Sequence, residues 1–224
     1  MALHGYQRAR LLDRLVDASA RRPTGWIARK TYGGTRGAPQ GHEAVFDQVL
    51  EAAGSLDGKR CLEIGCGGGR LLERMFAAGA ISLAGLDHSN TMLELSRERN
   101  AGAFNDGTLE LKQGDASQLP WPDASFNVVL SANTFFFIEQ PEAVLAEVQR
   151  VLSPGGRVVI GTVPGPLPEA SLRNWWVFLW GSRMHVYDDE TMREMLASAP
   201  FSNISIARTG ETEPLQLIVA ERLG

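Results

Sequence analysis

The chain has 224 residues, 44% of them hydrophobic and 21% charged, which fits one globular domain with a sizeable core and excludes disordered and fibrous classes. Its formal net charge of −4 argues against a general nucleic-acid binder, because such proteins neutralise phosphates with Lys and Arg. The charge is uneven: residues 1–41 hold eight Lys/Arg against Asp13 and Asp17, a net of +6 that leaves −10 for the remainder.

Leu3, Leu11, Leu12, Leu15 and Val16 recur at helical spacing, so an amphipathic first helix is expected, closed near Arg21, Arg22 and Pro23. Residues 24–41 are rich in Gly and carry Trp26 and Tyr32, a mixture expected to form a loop or short irregular helix over a pocket. A helix follows from about Glu43, with Val45, Phe46, Val49 and Leu50 on one side, ending at Gly54. Strands are then expected over 81–86, 108–112, 126–130 and 157–160, alternating with helices over 89–99 and 142–152. Ser153-Pro154-Gly155-Gly156 reads as a turn.

After Gly161 the regularity lapses. Pro164, Pro166 and Pro168 precede Trp175-Trp176-Val177-Phe178-Leu179-Trp180, which reads as an insertion near 163–184 before a last helix at about 188–196. Two further strands, near 203–207 and 215–220, complete the count. This β-α repetition calls for an α/β fold: a mostly parallel seven-stranded sheet with helices on both faces. One domain over 42–224 is expected, preceded by an N-terminal helical cap over 1–41. Cys61 and Cys66 form neither a disulfide framework nor a metal spacing. With no signal-peptide core and no apolar run near the roughly 20 residues that span a bilayer, reduced thiols in a cytoplasmic protein are expected.

The chemistry concentrates in Cys61-Leu62-Glu63-Ile64-Gly65-Cys66-Gly67-Gly68-Gly69-Arg70, an apolar strand breaking into a glycine turn. Leu71, Leu72, Met75 and Phe76 then open a helix whose free N–H groups are expected to face a ligand. Glycines this dense let the backbone approach a ligand and take positive φ angles. The dinucleotide fingerprint G-x-G-x-x-G needs a third glycine where this chain has Arg70. What stands there instead is E-x-G-x-G-x-G, from Glu63 through Gly69.

Here the chain resembles the class I S-adenosylmethionine-dependent methyltransferases, in particular their small-molecule branch, over residues 59 to about 162. The resemblance implies a Rossmann-like fold with the loop of Glu63, Gly65, Cys66, Gly67 and Gly69 around the methionine part of S-adenosylmethionine. A carboxylate suits that cofactor, a sulfonium with an ammonium group and no phosphate, better than it suits a pyrophosphate. Ala84-Gly85-Leu86-Asp87-His88-Ser89 ends the second strand in an acid 20 residues after Gly67. In the family this acid accepts hydrogen bonds from the ribose hydroxyls. Alone, Asp87 is equally at home as a helix cap or in a nicotinamide site. Gly114-Asp115-Ala116 looks like the adenine-binding segment, with Asp115 toward the exocyclic amine and Ala116 offering backbone. Ser131 and Ala132 at the end of the fourth strand complete the implied cofactor set, and Leu152-Ser153-Pro154-Gly155-Gly156-Arg157 resembles the family's structural turn. S-adenosylhomocysteine would be the product.

Methyl transfer is an in-line displacement on a carbon already activated by positive sulfur, so alignment and desolvation dominate and a base is optional. Where many relatives carry a histidine pair, this chain has Phe136 and Phe137. Ser131-Ala132-Asn133-Thr134 lacks the N/D-P-P-Y/F motif of enzymes that methylate nucleic-acid bases or glutamine amides, and no acidic cluster for magnesium is present. A small, hydrophobic or aromatic acceptor is therefore expected, methylated at O, N or C. His185 is the preferred base, since imidazole titrates near neutrality; His42, Tyr187 and Tyr32 are the other catalytic candidates. The aromatic residues read either as core or as an apolar substrate pocket and lid. The alternative for the tryptophans and the basic first helix is peripheral membrane contact. A non-catalytic S-adenosylmethionine-binding protein and a nicotinamide-dependent oxidoreductase are the competing functions. Oligomeric state leaves no mark on the sequence.

Overall fold

The computed structural model describes residues 23–32, 42–165, 184–209 and 215–224. The first helix expected over Leu3 to Val16, most of the 163–184 insertion with its tryptophans, and residues 33–41 lie outside them. The described elements are α1 (Gly25–Tyr32), α2 (His42–Ala53), β1 (Arg60–Ile64), α3 (Arg70–Ala77), β2 (Ser82–Asp87), α4 (Asn90–Arg99), α5 (Ala101–Asn105), β3 (Leu109–Gln113), β4 (Phe126–Ala132), α6 (Pro141–Val151), β5 (Leu152–Thr162), α7 (Asp189–Ser198), β6 (Phe201–Thr209) and β7 (Leu215–Arg222). Phe135–Phe137 form a single 3-10 turn.

The seven strands make one sheet in the order β3-β2-β1-β4-β5-β7-β6. Pairs among β1 to β5 are parallel, while β7 runs antiparallel to both β5 and β6. Parallel strands are buried on both faces, so successive side chains feed two cores. Leu62, Ile64, Val129, Val158 and Ile160 pack with Val144, Leu145 and Val148 of α6 and Met192 and Leu196 of α7. Cys61, Val128, Leu130 and Val159 pack on the other face with Phe46 and Val49 of α2 and Leu71, Leu72 and Met75 of α3. The strand order reverses at β1 and β4, and this reversal opens a crevice at their carboxyl ends.

Three local expectations change. Residues 25–32 form a regular helix, α1, docked on α4: the Gly25 N–H donates to Thr91 Oγ1 at 3.3 Å and Arg29 pairs with Glu94 and Glu98 at 2.8 and 3.0 Å. A five-residue helix, α5, follows α4, where no element was expected. The Ser153-Pro154-Gly155-Gly156 segment is not a free turn, because Leu152 already pairs with Phe126 and the register shifts before Val128 meets Arg157. It is a bulge inside β5, with Gly155 at φ 72°.

The segment between β3 and β4 has no regular structure, yet it is fastened. Trp121 is buried edge-on to Phe126 at 5.6 Å, and its indole N–H donates to Glu110 at 2.6 Å. Arg150 of α6 donates to the main-chain carbonyls of Leu119 and Trp121 at 2.9 and 2.8 Å, and pairs with Asp123 and Glu147. That guanidinium holds the Glu147 carboxyl below its ordinary value. Arg150→Ala is expected to lower stability by about 1–3 kcal/mol, since it strips charged donors from four acceptors at once. A urea midpoint that drops with an unchanged slope would agree, and an unmoved midpoint would show that the hub contributes nothing.

Candidate active site

β1 ends at Ile64, and the next five residues fold back across the end of β2. The N–H groups of Gly65 and Cys66 both donate to Leu86 O, at 2.8 and 3.0 Å. The Gly67 N–H donates to Asp87 Oδ2 at 2.9 Å. The path needs glycine at two points above all. Gly65 has φ 72°, and a Cβ there would stand 2.2 Å from Thr134 Cγ2; Gly69 has φ 76°, and its Cβ would stand 2.5 Å from Asn100 Nδ2. The carbonyls of the loop are held from behind by the end of α4 and its cap. Arg99 Nε donates to Gly68 O at 2.9 Å, and Asn100 Nδ2 donates to Gly69 O at 3.0 Å.

In front of this loop lies a cavity of about 420 Å³ across the carboxyl ends of β1 to β4. Ile64 and Gly65 form one wall, Leu86, Asp87 and His88 a second, and Gln113 through Ser117 a third. Thr134, Phe137, Ile138, Glu139, Gln140 and Val144 close it from the β4 side. Asp87 is only 8% exposed, and its two oxygens accept from Gly67 and from the Ser89 N–H at 2.8 Å. Burial raises its carboxyl above the ordinary value, and the N–H of Ser89, the charge of His88 and the N–H of Gly67 pull it back. Each carboxylate oxygen retains a lone pair for a further donor. Asp115 Oδ1 is turned into its own loop, accepting from the N–H and hydroxyl of Ser117 at 2.9 Å each.

Glu63 is placed differently from its neighbours. It is 2% exposed and sits behind the glycine loop, outside the cavity lining. Its ionised form is favoured by the Leu72 N–H, near the start of α3. Its Oε2 has no partner. Burial pushes this carboxyl well above the usual carboxylate range, and the nearby Asp87 pushes it further. Cys66 is buried with its sulfur against Gly85, and burial raises its thiol too.

Of the expected cofactor residues, Gly65, Asp87, His88, Asp115 and Ala116 line one cavity, and Cys66, Gly67 and Gly69 shape the loop behind it. Ser131 and Ala132 lie buried inside β4, two residues short of Thr134, which does reach the cavity. None of the four expected catalytic residues is in the lining. His42 opens α2. Tyr32 ends α1, half-buried, with its carbonyl 3.7 Å from where a Cβ on Gly68 would stand. His185 is exposed, and its N–H donates to Phe136 O at 2.7 Å. Tyr187 is half-buried and bridges to Pro164, its phenol raised by burial and by Glu142. Phe135 and Phe136 are core, whereas Phe137 faces the cavity. Gln113, Thr134 and the stretch from Phe137 to Gln140 were missed in the sequence. Their only signal was position, at the carboxyl ends of β3 and β4, where α/β sheets bind ligands. Among the described residues no cluster of His, Cys, Asp and Glu could hold a metal ion.

Comparison with known proteins agrees with this geometry. Residues 62–160 match the family model described as a methyltransferase domain. The 27-O-demethylrifamycin SV methyltransferase of Amycolatopsis mediterranei is 36% identical over 112 residues, 49% of this chain and 41% of that protein. A demethylmenaquinone methyltransferase of Clavibacter sepedonicus is 38% identical over 122 residues, 53% of this chain and 48% of that protein. The chain thus spans about half the length, or less, of these relatives. Among solved structures, the Haemonchus contortus phosphoethanolamine N-methyltransferase 2 in complex with S-adenosylhomocysteine superposes with a TM-score of 0.74 at 18% identity, over 95% of this chain and 61% of that one. The geranyl diphosphate C-methyltransferase of Streptomyces coelicolor A3(2) gives 0.68 at 13%, over 81% and 76%. Residues 62–160 thus match a methyltransferase domain, and over that stretch the chain is similar to the class I S-adenosylmethionine-dependent methyltransferases of the small-molecule branch. S-adenosylmethionine is the cofactor of that class, and the site fits it: the cavity offers Asp87 to a nucleoside, and Glu63 behind the loop has an oxygen unpartnered among the described residues.

Gly65→Ala is expected to weaken S-adenosylhomocysteine binding by at least about tenfold, because the Cβ both strains a left-handed backbone, by about 1–2 kcal/mol, and strikes Thr134. Adding Thr134→Gly should restore part of the loss. Wild-type affinity in the single variant, read by calorimetry, would contradict the close approach.

Proposed function

We propose that this chain transfers the methyl group of S-adenosylmethionine to a small, hydrophobic or aromatic acceptor at O, N or C. The observation that carries the reading is the convergence of three motifs, widely spaced in sequence, on one cavity at the β1/β4 reversal: the glycine loop, Asp87, and Asp115 with Ala116. When bound, the cofactor supplies a methyl carbon already activated by cationic sulfur, so the protein's part is to bind, align and exclude water. In this reading Asp87 takes the ribose hydroxyls, Asp115 and Ala116 take the adenine, and Gly65 to Gly69 surround the methionine portion. Arg70, which stands where a dinucleotide site needs glycine, is paired with Glu43, which speaks against nicotinamide.

The acceptor side is built by residues on the far side of Phe137. The cap expected over residues 1–41 is supported in this reading by the docking of α1 on α4; the rest of that stretch and the tryptophans of the 163–184 insertion lie outside the described residues. The names of the relatives, which include a fatty-acid O-methyltransferase of Mycolicibacterium smegmatis, support an apolar acceptor. Two free, buried thiols support a cytoplasmic setting. No helix among the described residues is long and apolar enough to cross a membrane. His185, whose backbone is bonded to the residue before Phe137, is the proposed base.

The test is a screen of quinols, phenols, amines and fatty acids, followed by S-adenosylhomocysteine formation. Turnover with at least one apolar acceptor is expected. His185→Ala should lower that turnover by roughly 10²-fold or more while cofactor affinity stays within about twofold. Selective binding of NAD, with none of S-adenosylmethionine, would overturn the reading; full turnover in the His185 variant would remove only the base.

A further inference from the structure

Glu63 presents a problem that cofactor binding alone does not solve. The residue is 2% exposed, and its Oε2 is buried without a hydrogen-bond partner among the described residues, the Leu72 N–H alone favouring the ionised form. An ionised carboxylate with one oxygen unsolvated is far costlier to bury than the neutral acid. Its strand neighbours, Gly85 on β2 and Leu130 on β4, offer no charge. Among the described residues the titratable groups near it are Asp87 from β2, whose charge disfavours a second negative one, and Cys66 from the loop, a buried neutral thiol that offers it no charge. The guanidinium groups of α3 and α4 are engaged elsewhere: Arg70 and Arg74 with Glu43 and Asp47, Arg97 over the Phe104 ring, and Arg99 with Gly68 O and Glu73. Among the described residues no cation is paired with Glu63, and a cation in the cavity across the glycine loop would change this balance.

We propose that Glu63 carries a proton in the free protein and releases it to solvent when the cationic cofactor binds, so that this residue sets the preference of the site for S-adenosylmethionine over S-adenosylhomocysteine. The inference rests on the cofactor reading above. The two ligands share the adenosine and the amino-acid group and differ in the sulfonium charge. With the cation present, the ionised form of Glu63 gains a partner of opposite sign in a low-dielectric wall. Once the methyl group has left, the sulfur is neutral, Glu63 takes a proton back from solvent, and the product loses that partner. Glu63 is a positioning residue in this scheme: it acts through the loop and touches no reacting atom.

The sign follows from linkage. A proton leaves on binding, so affinity for S-adenosylmethionine rises with pH across the range in which free Glu63 holds its proton, above the ordinary carboxylate range, while affinity for S-adenosylhomocysteine changes less. The experiment is titration calorimetry of the full chain with each ligand in buffers of different ionisation enthalpy, comparing wild type with Glu63→Gln and Glu63→Asp. Subtracting the Glu63→Gln values removes protons carried by the ligands' own amines. The wild type is expected to release up to one proton more than Glu63→Gln on binding S-adenosylmethionine, and markedly less with S-adenosylhomocysteine. Glu63→Gln should lose the preference for the cation by on the order of tenfold; Glu63→Asp should keep part of both effects. Equal proton counts in wild type and Glu63→Gln, or an unchanged preference, would overturn the proposal with the cofactor site intact. Failure of the wild type to bind either ligand would overturn the cofactor reading and this inference with it.

Discussion

The carboxylate of Asp87 accepts from Gly67 of the loop after β1 and from Ser89 at the start of α4, and so ties the glycine turn to the end of the neighbouring strand. Because the Gly65 and Cys66 N–H groups also converge on Leu86 O, the loop has no freedom to lift away from β2. Everything in front of the loop is then set by strand register. Glu63 pairs with Gly85 and Asp87 pairs with Gln113, which aligns the ends of β1, β2 and β3 along one edge of the cavity. The cost is a buried carboxylate, which its backbone donors offset.

Support for this arrangement comes from behind. Asn100 and Arg99 hold the outer carbonyls of the loop, and α1 is pinned to the same helix through Thr91, Glu94 and Glu98. On the other side, Arg150 and Trp121 fasten the irregular segment that follows Asp115. The cavity is therefore bounded by two loops hydrogen-bonded to their neighbours at the ends of the parallel strands, and alignment of this kind is what a displacement reaction requires.

The elements legible in the sequence were those with a strong local period or a cap. β2, β4, α4 and α7 fall within about two residues of expectation, and Ser89 and Asp188 cap α4 and α7 as their side chains allow. The position of the cavity was legible because glycines and acids mark strand ends. What escaped notice depends on tertiary pairing. The bulge in β5 looks like a Pro-Gly-Gly turn until Leu152 is paired with Phe126. Thr134 and Gln113 have no local signature and enter the site only through register. Glu63 is expected near the cofactor from the E-x-G-x-G-x-G match; the strand's alternation puts it on the face shared with Cys61, which packs toward α3, and no local pattern showed that burial.

The most direct measurement of the central claim is a crystal structure of the chain grown with saturating S-adenosylhomocysteine. The nucleoside is expected between Asp87 and Asp115, with both ribose hydroxyls within hydrogen-bond distance of the Asp87 carboxylate and the homocysteine tail along Gly65 to Gly69. A ligand bound elsewhere on the sheet, or this cavity left empty at saturation, would contradict it.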